Sequence, residues 1–149
     1  MRVLVVFFLV LIGTFIIDQN IKTIFVDGYY RAGSCIDLVL HYNKGVAFSM
    51  LEFLGPYLKW IQISLVVVIL FVIFKEGYLK RYAFPLGLLV GGALGNVYDR
   101  FIHEGVVDYV AWHCGFNFAV FNFADVAIDI AVVWLLVMVY LFPETTEDK

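Results

Sequence analysis

"MRVLVVFFLVLIGTFIIDQNIK", residues 1–22, is almost wholly apolar from Val3 to Ile17 and turns polar at Asp18, Gln19 and Asn20. Such a run reads either as a secretory leader or as a helix that stays in a membrane. No Ala-x-Ala-like cleavage site follows it, so the expected reading is a retained helix. A spanning helix needs roughly 20 mostly apolar residues, and comparable windows recur at Tyr57–Phe74, Ala83–Tyr98 and Phe123–Phe142. With 63% hydrophobic and 15% charged residues, the chain lies outside the range of soluble globular proteins. The expected fold is therefore a mainly α polytopic membrane protein, one integral membrane domain over residues 1–149. It has four transmembrane helices (about 3–22, 57–74, 83–98 and 123–142), an outer segment 23–56 and an outer loop 99–122. Four spans place both termini on one side. Lys75, Lys80 and Arg81 between the second and third spans, with Arg2, make that side cytoplasmic.

The outer segment is too polar to cross a bilayer. Its stretch "CIDLVLHYN", residues 35–43, is rich in β-branched and aromatic residues, and Gly28, Gly33 and Gly45 surround it. The expectation is a small extracytoplasmic β-rich segment of short strands, with an irregular re-entrant loop as the alternative. Tyr57, Trp60, Tyr98, Tyr109 and Trp112 are expected near the interface. Gly87, Gly91 and Gly95 fall four apart on one face of the third span, a packing signal for helices in lipid. Cys35 and Cys114 both fall on the outer side, where a disulfide is permitted, although the reading favours unpaired thiols. A net charge of −3 without a basic stripe gives no sign of nucleic-acid binding. His41, His103 and the adjacent His113 and Cys114 match no metal-ligand spacing, so no metal or cofactor is expected.

Ionisable groups in membrane segments are costly and are functional candidates by default. Here they gather at one end. Asp18 and Lys22 close the first span, Asn96, Asp99 and Arg100 close the third, and Asn122 and Asp125 open the fourth, with Asp108 in the loop before it. Two neighbouring carboxyls sharing one proton supply a general acid and a general base without metal or serine. Structural readings stand beside this one. Asp18 and Lys22 are four apart and suit a supporting salt bridge, Asp99 and Arg100 suit an interfacial ion pair, and Asn122 suits a cap with Asp125 at a helix N-terminus. A small proton-coupled transporter is the competing function. It would carry its charges near the midplane, whereas the second and third spans are clean at their centres.

Five ordered blocks, "DQNIK" (18–22), "NKGVAF" (43–48), "GGALGNVYDR" (91–100), "GVVDY" (105–109) and "FNFAD" (121–125), resemble those of lipoprotein signal peptidase, the bacterial signal peptidase II family. The resemblance covers nearly the whole chain. It implies a multi-pass aspartyl endopeptidase of the bacterial inner membrane, active at the extracytoplasmic face. Its substrates would be prolipoproteins bearing a diacylglyceryl cysteine, cut just before that cysteine, with membrane lipid as surroundings and the enzyme acting as a monomer. It places the catalytic aspartates at Asp108 and Asp125. Support for the dyad, the backbone and the substrate falls to Asp18, Lys22, Asn43, Gly45, Asn96, Asp99, Arg100, Asn122 and Ala124. Asp99 ranks behind the other two aspartates because the adjacent Arg100 is expected to hold it ionised. Tyr109 stands where phenylalanine is commoner. Asp129 stands where a small neutral or hydroxyl residue is expected, and is read as either protonated or paired with a polar neighbour.

Overall fold

The computed structural model describes residues 1–45 and 52–143. Among the described residues, four α-helices, α1 (Arg2–Val26), α2 (Leu58–Lys75), α3 (Leu79–Ile102) and α4 (Phe123–Leu141), and two strands, β1 (Ile36–Asn43) and β2 (Val106–Trp112), make up the fold, with a short 3-10 helix, Glu52–Tyr57, leading into α2. Three of the helices, α1, α4 and the stretch Glu52–Lys75 that contains α2, are long and apolar enough to cross a membrane. α3 has the length, but its glycines and charged ends dilute its apolar content. Its place in the bundle explains the difference: α3 packs against α1, α2 and α4. Its buried face includes Val90, Gly91, Gly95 and Asp99, while side chains such as Leu9, Val68 and Val133 on the other helices are exposed.

The glycine spacing works as a packing device. A Cβ at position 91 would lie 2.6 Å from the Leu11 carbonyl oxygen in α1, and one at position 92 would lie 2.8 Å from the Ala124 oxygen in α4. Neither backbone can yield without moving a helix. Gly91→Ala is thus expected to destabilise the bundle by roughly 1–3 kcal/mol, the usual scale of overpacking. Thermal unfolding in detergent measures this, and wild-type stability would contradict it. Below this contact, Phe7, Val66, Ile73, Leu86 and Val90 form the apolar core at the end away from the polar clusters. α3 is interrupted near its start, where Tyr82 leaves helical geometry (φ −114°, ψ 19°) three residues before Pro85. Proline removes a backbone donor and crowds the preceding turn, a sufficient cause.

The β structure differs from expectation. Among the described residues the outer segment forms one strand of the sheet, β1. Its partner comes from the loop between α3 and α4, not from the same segment. β1 and β2 run antiparallel, with His41 opposite Asp108, Asn43 opposite Val106, and an irregularity between Leu38 and His41. On the other side of β2, Phe121 bridges Val110. The loop assigned to residues 99–122 thus begins in the last turn of α3 and then becomes a strand. Cys35 and Cys114 pair as a disulfide with Cα atoms 4.4 Å apart, correcting the expectation of unpaired thiols. The two are 79 residues apart in sequence, so only the β1–β2 pairing reveals that they meet. The latter part of "NKGVAF", residues 46–48, lies outside the described residues.

Candidate active site

β2 and the start of α4 carry the two aspartates singled out from sequence. Alternate residues of a strand share a face, so Asp108 points the same way as Val106, and both line a cavity of about 480 Å³ with Asp125. The N-terminus of α4 is held at every turn of its backbone. A helix begins with four N–H groups lacking intrahelical partners. Here Phe123 N–H donates to the Tyr109 hydroxyl (3.0 Å), Ala124 N–H to Asp18 Oδ1 (3.1 Å) and Asp125 N–H to Asn122 Oδ1 (2.9 Å). Asn122 N–H donates in return to Asp125 Oδ2 (3.1 Å), completing a reciprocal capping box. Asp125 therefore enters the cavity from a fixed backbone.

Two asparagines join the carboxyls. Asn122 Nδ2 donates to Asp108 Oδ1 at 2.7 Å and to Asn96 Oδ1 at 3.1 Å. Asn96 Nδ2 donates to Asp125 Oδ1 at 2.8 Å. A third, Asn43 at the end of β1, donates to Asp108 Oδ2 at 3.0 Å and accepts from Gly45 N–H at 3.0 Å. Arg100 donates to the carbonyl oxygens of Asn43 and Gly45 and so holds this turn over the cavity. Asp108 is 1% exposed. Burial, and after it the negative charge of Asp125, pushes its carboxyl up from 3.8 to about 7.

Behind the cavity lies a buried ion cluster. Lys22 Nζ is 2.7 Å from Asp18 Oδ2, 2.7 Å from Asp99 Oδ2 and 2.9 Å from Asn96 Oδ1, so its three protons meet three oxygens. Asp99 Oδ2 also accepts from Val107 N–H at 3.0 Å, anchoring β2 one residue before Asp108. The Asp18–Lys22 pair follows its i, i+4 spacing. The expected pairing of Asp99 with Arg100 does not: adjacent helical residues point about 100° apart, and Asp99 turns inward to Lys22. Gly95 admits this cluster, because a Cβ there would collide with the Asp18 carboxylate. Ala124, fully buried, lets α4 approach α3.

A family profile described as "Signal peptidase (SPase) II" matches residues 10–142. The chain belongs to the signal peptidase II family. Relatives agree along most of their lengths. The lipoprotein signal peptidase of Sulfurovum sp. (strain NBC37-1) is 73% identical over 143 residues, covering 96% of this chain and 98% of the relative. That of Sulfurimonas denitrificans (strain ATCC 33889 / DSM 1251) is 60% identical over 140 residues, covering 92% and 89%. A solved structure, "Bacterial membrane enzyme structure by the in meso method at 2.3 A resolution", superposes with a TM-score of 0.75 at 26% identity, covering 95% of this chain and 90% of that one. Nothing in these likenesses supports the transporter alternative.

In this signal peptidase the structure brings Asp108, Asp125, Asn43, Asn96 and Arg100 to one cavity. Asp18, Lys22, Asp99, Asn122, Ala124 and Gly45 stand around it as hydrogen-bond or packing partners. Three further residues take part in the site without having been assigned to it from the sequence. Gln19 Nε2 donates to Asp99 Oδ1 at 2.9 Å and to Asp18 Oδ2 at 3.1 Å; its polarity in "DQNIK" was the available signal. Tyr109, expected at the interface, is buried and stacked on Phe25 at 4.3 Å. Burial lifts its hydroxyl to about 12, so it stays neutral while capping α4. Gln62, a lone amide in an apolar helix, lines the cavity. Asp129 lines it too and makes no hydrogen bond or ion pair among the described residues, so of the two readings given for it the pairing with a polar neighbour is not found there. Among those residues no group of three or more metal-ligating side chains occurs.

Proposed function

We propose that this signal peptidase, which removes the signal peptide from prolipoproteins, hydrolyses the scissile bond as an aspartyl endopeptidase with Asp108 and Asp125 sharing one proton. The observation that carries the reading is the single cavity in which Asn122 and Asn96 tie the two carboxyls together. Asp108 holds the shared proton at neutral pH and presents it to the scissile carbonyl. Asp125 takes a proton from water as the water oxygen attacks the carbonyl carbon. Collapse of the tetrahedral intermediate returns the Asp108 proton, and the proton on Asp125 passes to the leaving amine. Asp18, Lys22, Asn96, Asp99 and Asn122 fix the dyad, while Asn43, Gly45 and Arg100 shape the cover over the peptide.

The chain acts as one integral domain of the bacterial inner membrane. α3 crosses as the fourth, shielded span, the termini face the cytoplasm, and the cavity opens at the outer rim. There water reaches the carboxyls while the diacylglyceryl chains of the substrate remain in lipid. The enzyme works as a monomer without a cofactor.

Purified protein in detergent should convert a diacylated prolipoprotein to a product whose N-terminal residue is the lipidated cysteine. Cleavage elsewhere, or none, would contradict this reading. The pH profile is a second test. The folded protein holds on Asp108 a proton that an unfolded chain releases near 3.8, so between there and about pH 7 folding stability declines as pH rises. Above about 7 the shared proton leaves, and kcat/KM is expected to fall with it. A profile flat from about pH 6 to pH 9 would contradict the shared proton.

A further inference from the structure

One turn below the dyad the cavity carries two polar groups that the chemistry leaves unused. α4 rises 1.5 Å per residue, which puts Asp129 about 6 Å further along the helix than Asp125. Across the cavity, Gln62 sits in the second turn of α2, another helix whose N-terminus lies at the polar end. Its Oε1 is buried without a hydrogen-bond partner among the described residues. Asp129 is exposed on the same cavity wall and also begins an apolar groove with Ile130, Val133 and Trp134. A buried acceptor without a donor forfeits the hydrogen bond it made to water. Two acceptors facing one cavity fit a ligand that brings a donor.

We infer that Asp129 and Gln62 form a specificity subsite that selects a hydroxyl-bearing side chain on the signal peptide close to the scissile bond. The inference rests on the peptidase reading above. The diacylglyceryl group offers only ester oxygens and a thioether sulfur, which accept, so the donor belongs to the peptide. Backbone N–H groups occur in every substrate and discriminate nothing. A lysine ammonium would donate, but it is costly at membrane depth. Serine and threonine hydroxyls donate at little cost there. The body of a signal peptide lies deeper than its cleavage point, and an extended chain advances about 3.3 Å per residue, so about 6 Å corresponds to the second residue or so on the amino side of the cut.

The test uses full-length protein in detergent and pairs of diacylated precursors that differ only by serine or alanine at each of the first three positions on that side. The readout is the ratio of kcat/KM for serine over alanine within each enzyme, which is independent of the folded fraction. Wild type is expected to favour serine by about tenfold at one position, the scale of one hydrogen bond. In Asp129→Leu the ratio should fall to about one; in Gln62→Leu and Asp129→Asn it should fall part of the way. Wild type cleaving both members of every pair equally overturns this inference alone, as does a serine preference that survives Asp129→Leu. Wild type cleaving no precursor overturns the peptidase reading and this inference together.

Discussion

Asp125→Asn is expected to lower cleavage of a diacylated prolipoprotein by roughly 10²–10⁴-fold, the contribution of a positioned general base, and Asp108→Asn by a similar factor. An amide can neither take the proton of the attacking water nor deliver the shared one. The fold should survive either change. The capping box keeps the Asn122 side chain as acceptor for the residue 125 N–H, and Phe123 and Ala124 keep Tyr109 and Asp18 as partners. Each variant does leave one donor facing a donor, from Asn96 or Asn122 at position 125 and from Asn43 or Asn122 at position 108, so a modest loss of stability accompanies the loss of activity. Asp99→Asn separates the roles. Asp99 contacts Lys22, Gln19 and the Val107 N–H and does not line the cavity, so its loss should fall mainly on stability. Full cleavage by either dyad variant would remove that residue from the chemistry.

The second large effect concerns the cation behind the dyad. Lys22→Met should destabilise the folded protein by roughly 3–5 kcal/mol, the cost of stranding a buried charge whose partner has been removed. Asp18 and Asp99 are both fully buried, and the variant leaves two carboxylates facing one another with only Gln19 between them. The change in melting temperature in detergent should be on the order of 10 °C. Neutralising the stranded acids tests the cause: the triple variant Lys22→Met, Asp18→Asn, Asp99→Asn should recover part of the loss. A melting temperature within about 2 °C of wild type for Lys22→Met would contradict the account of this cluster.

Features set by local spacing were legible in the sequence. Apolar length marked the helices, and the step from Ile17 to Asp18 marked where the first one meets polar surroundings. The i, i+4 rule paired Asp18 with Lys22, and the side-chain chemistry of Asn122 marked the start of α4. Features set by long-range pairing were not legible. β1 and β2 come from different segments, so neither the placement of Asp108 on a strand nor the meeting of Cys35 with Cys114 follows from local pattern. The inward turn of Asp99 toward Lys22 depends on α1 packing against α3 through Gly91 and Gly95, which the glycine spacing suggested without naming the partner helix. Tyr109 misled because a tyrosine beside a membrane segment suits an interfacial belt as well as a buried cap; only the position of Phe25 and of the Phe123 N–H separates them. Gln62 went unremarked as one amide in an apolar run, and it gains meaning only from the cavity it faces.

The central claim is that one proton resides on the carboxyl pair at neutral pH. Infrared spectra recorded between about pH 5 and pH 9 observe it through the carbonyl stretch of a protonated carboxyl. A band that disappears as pH rises through about 7 in wild type and is missing from Asp108→Asn is the expected result. An unchanged band in Asp108→Asn, or no protonated carboxyl in wild type at about pH 6, would contradict the account.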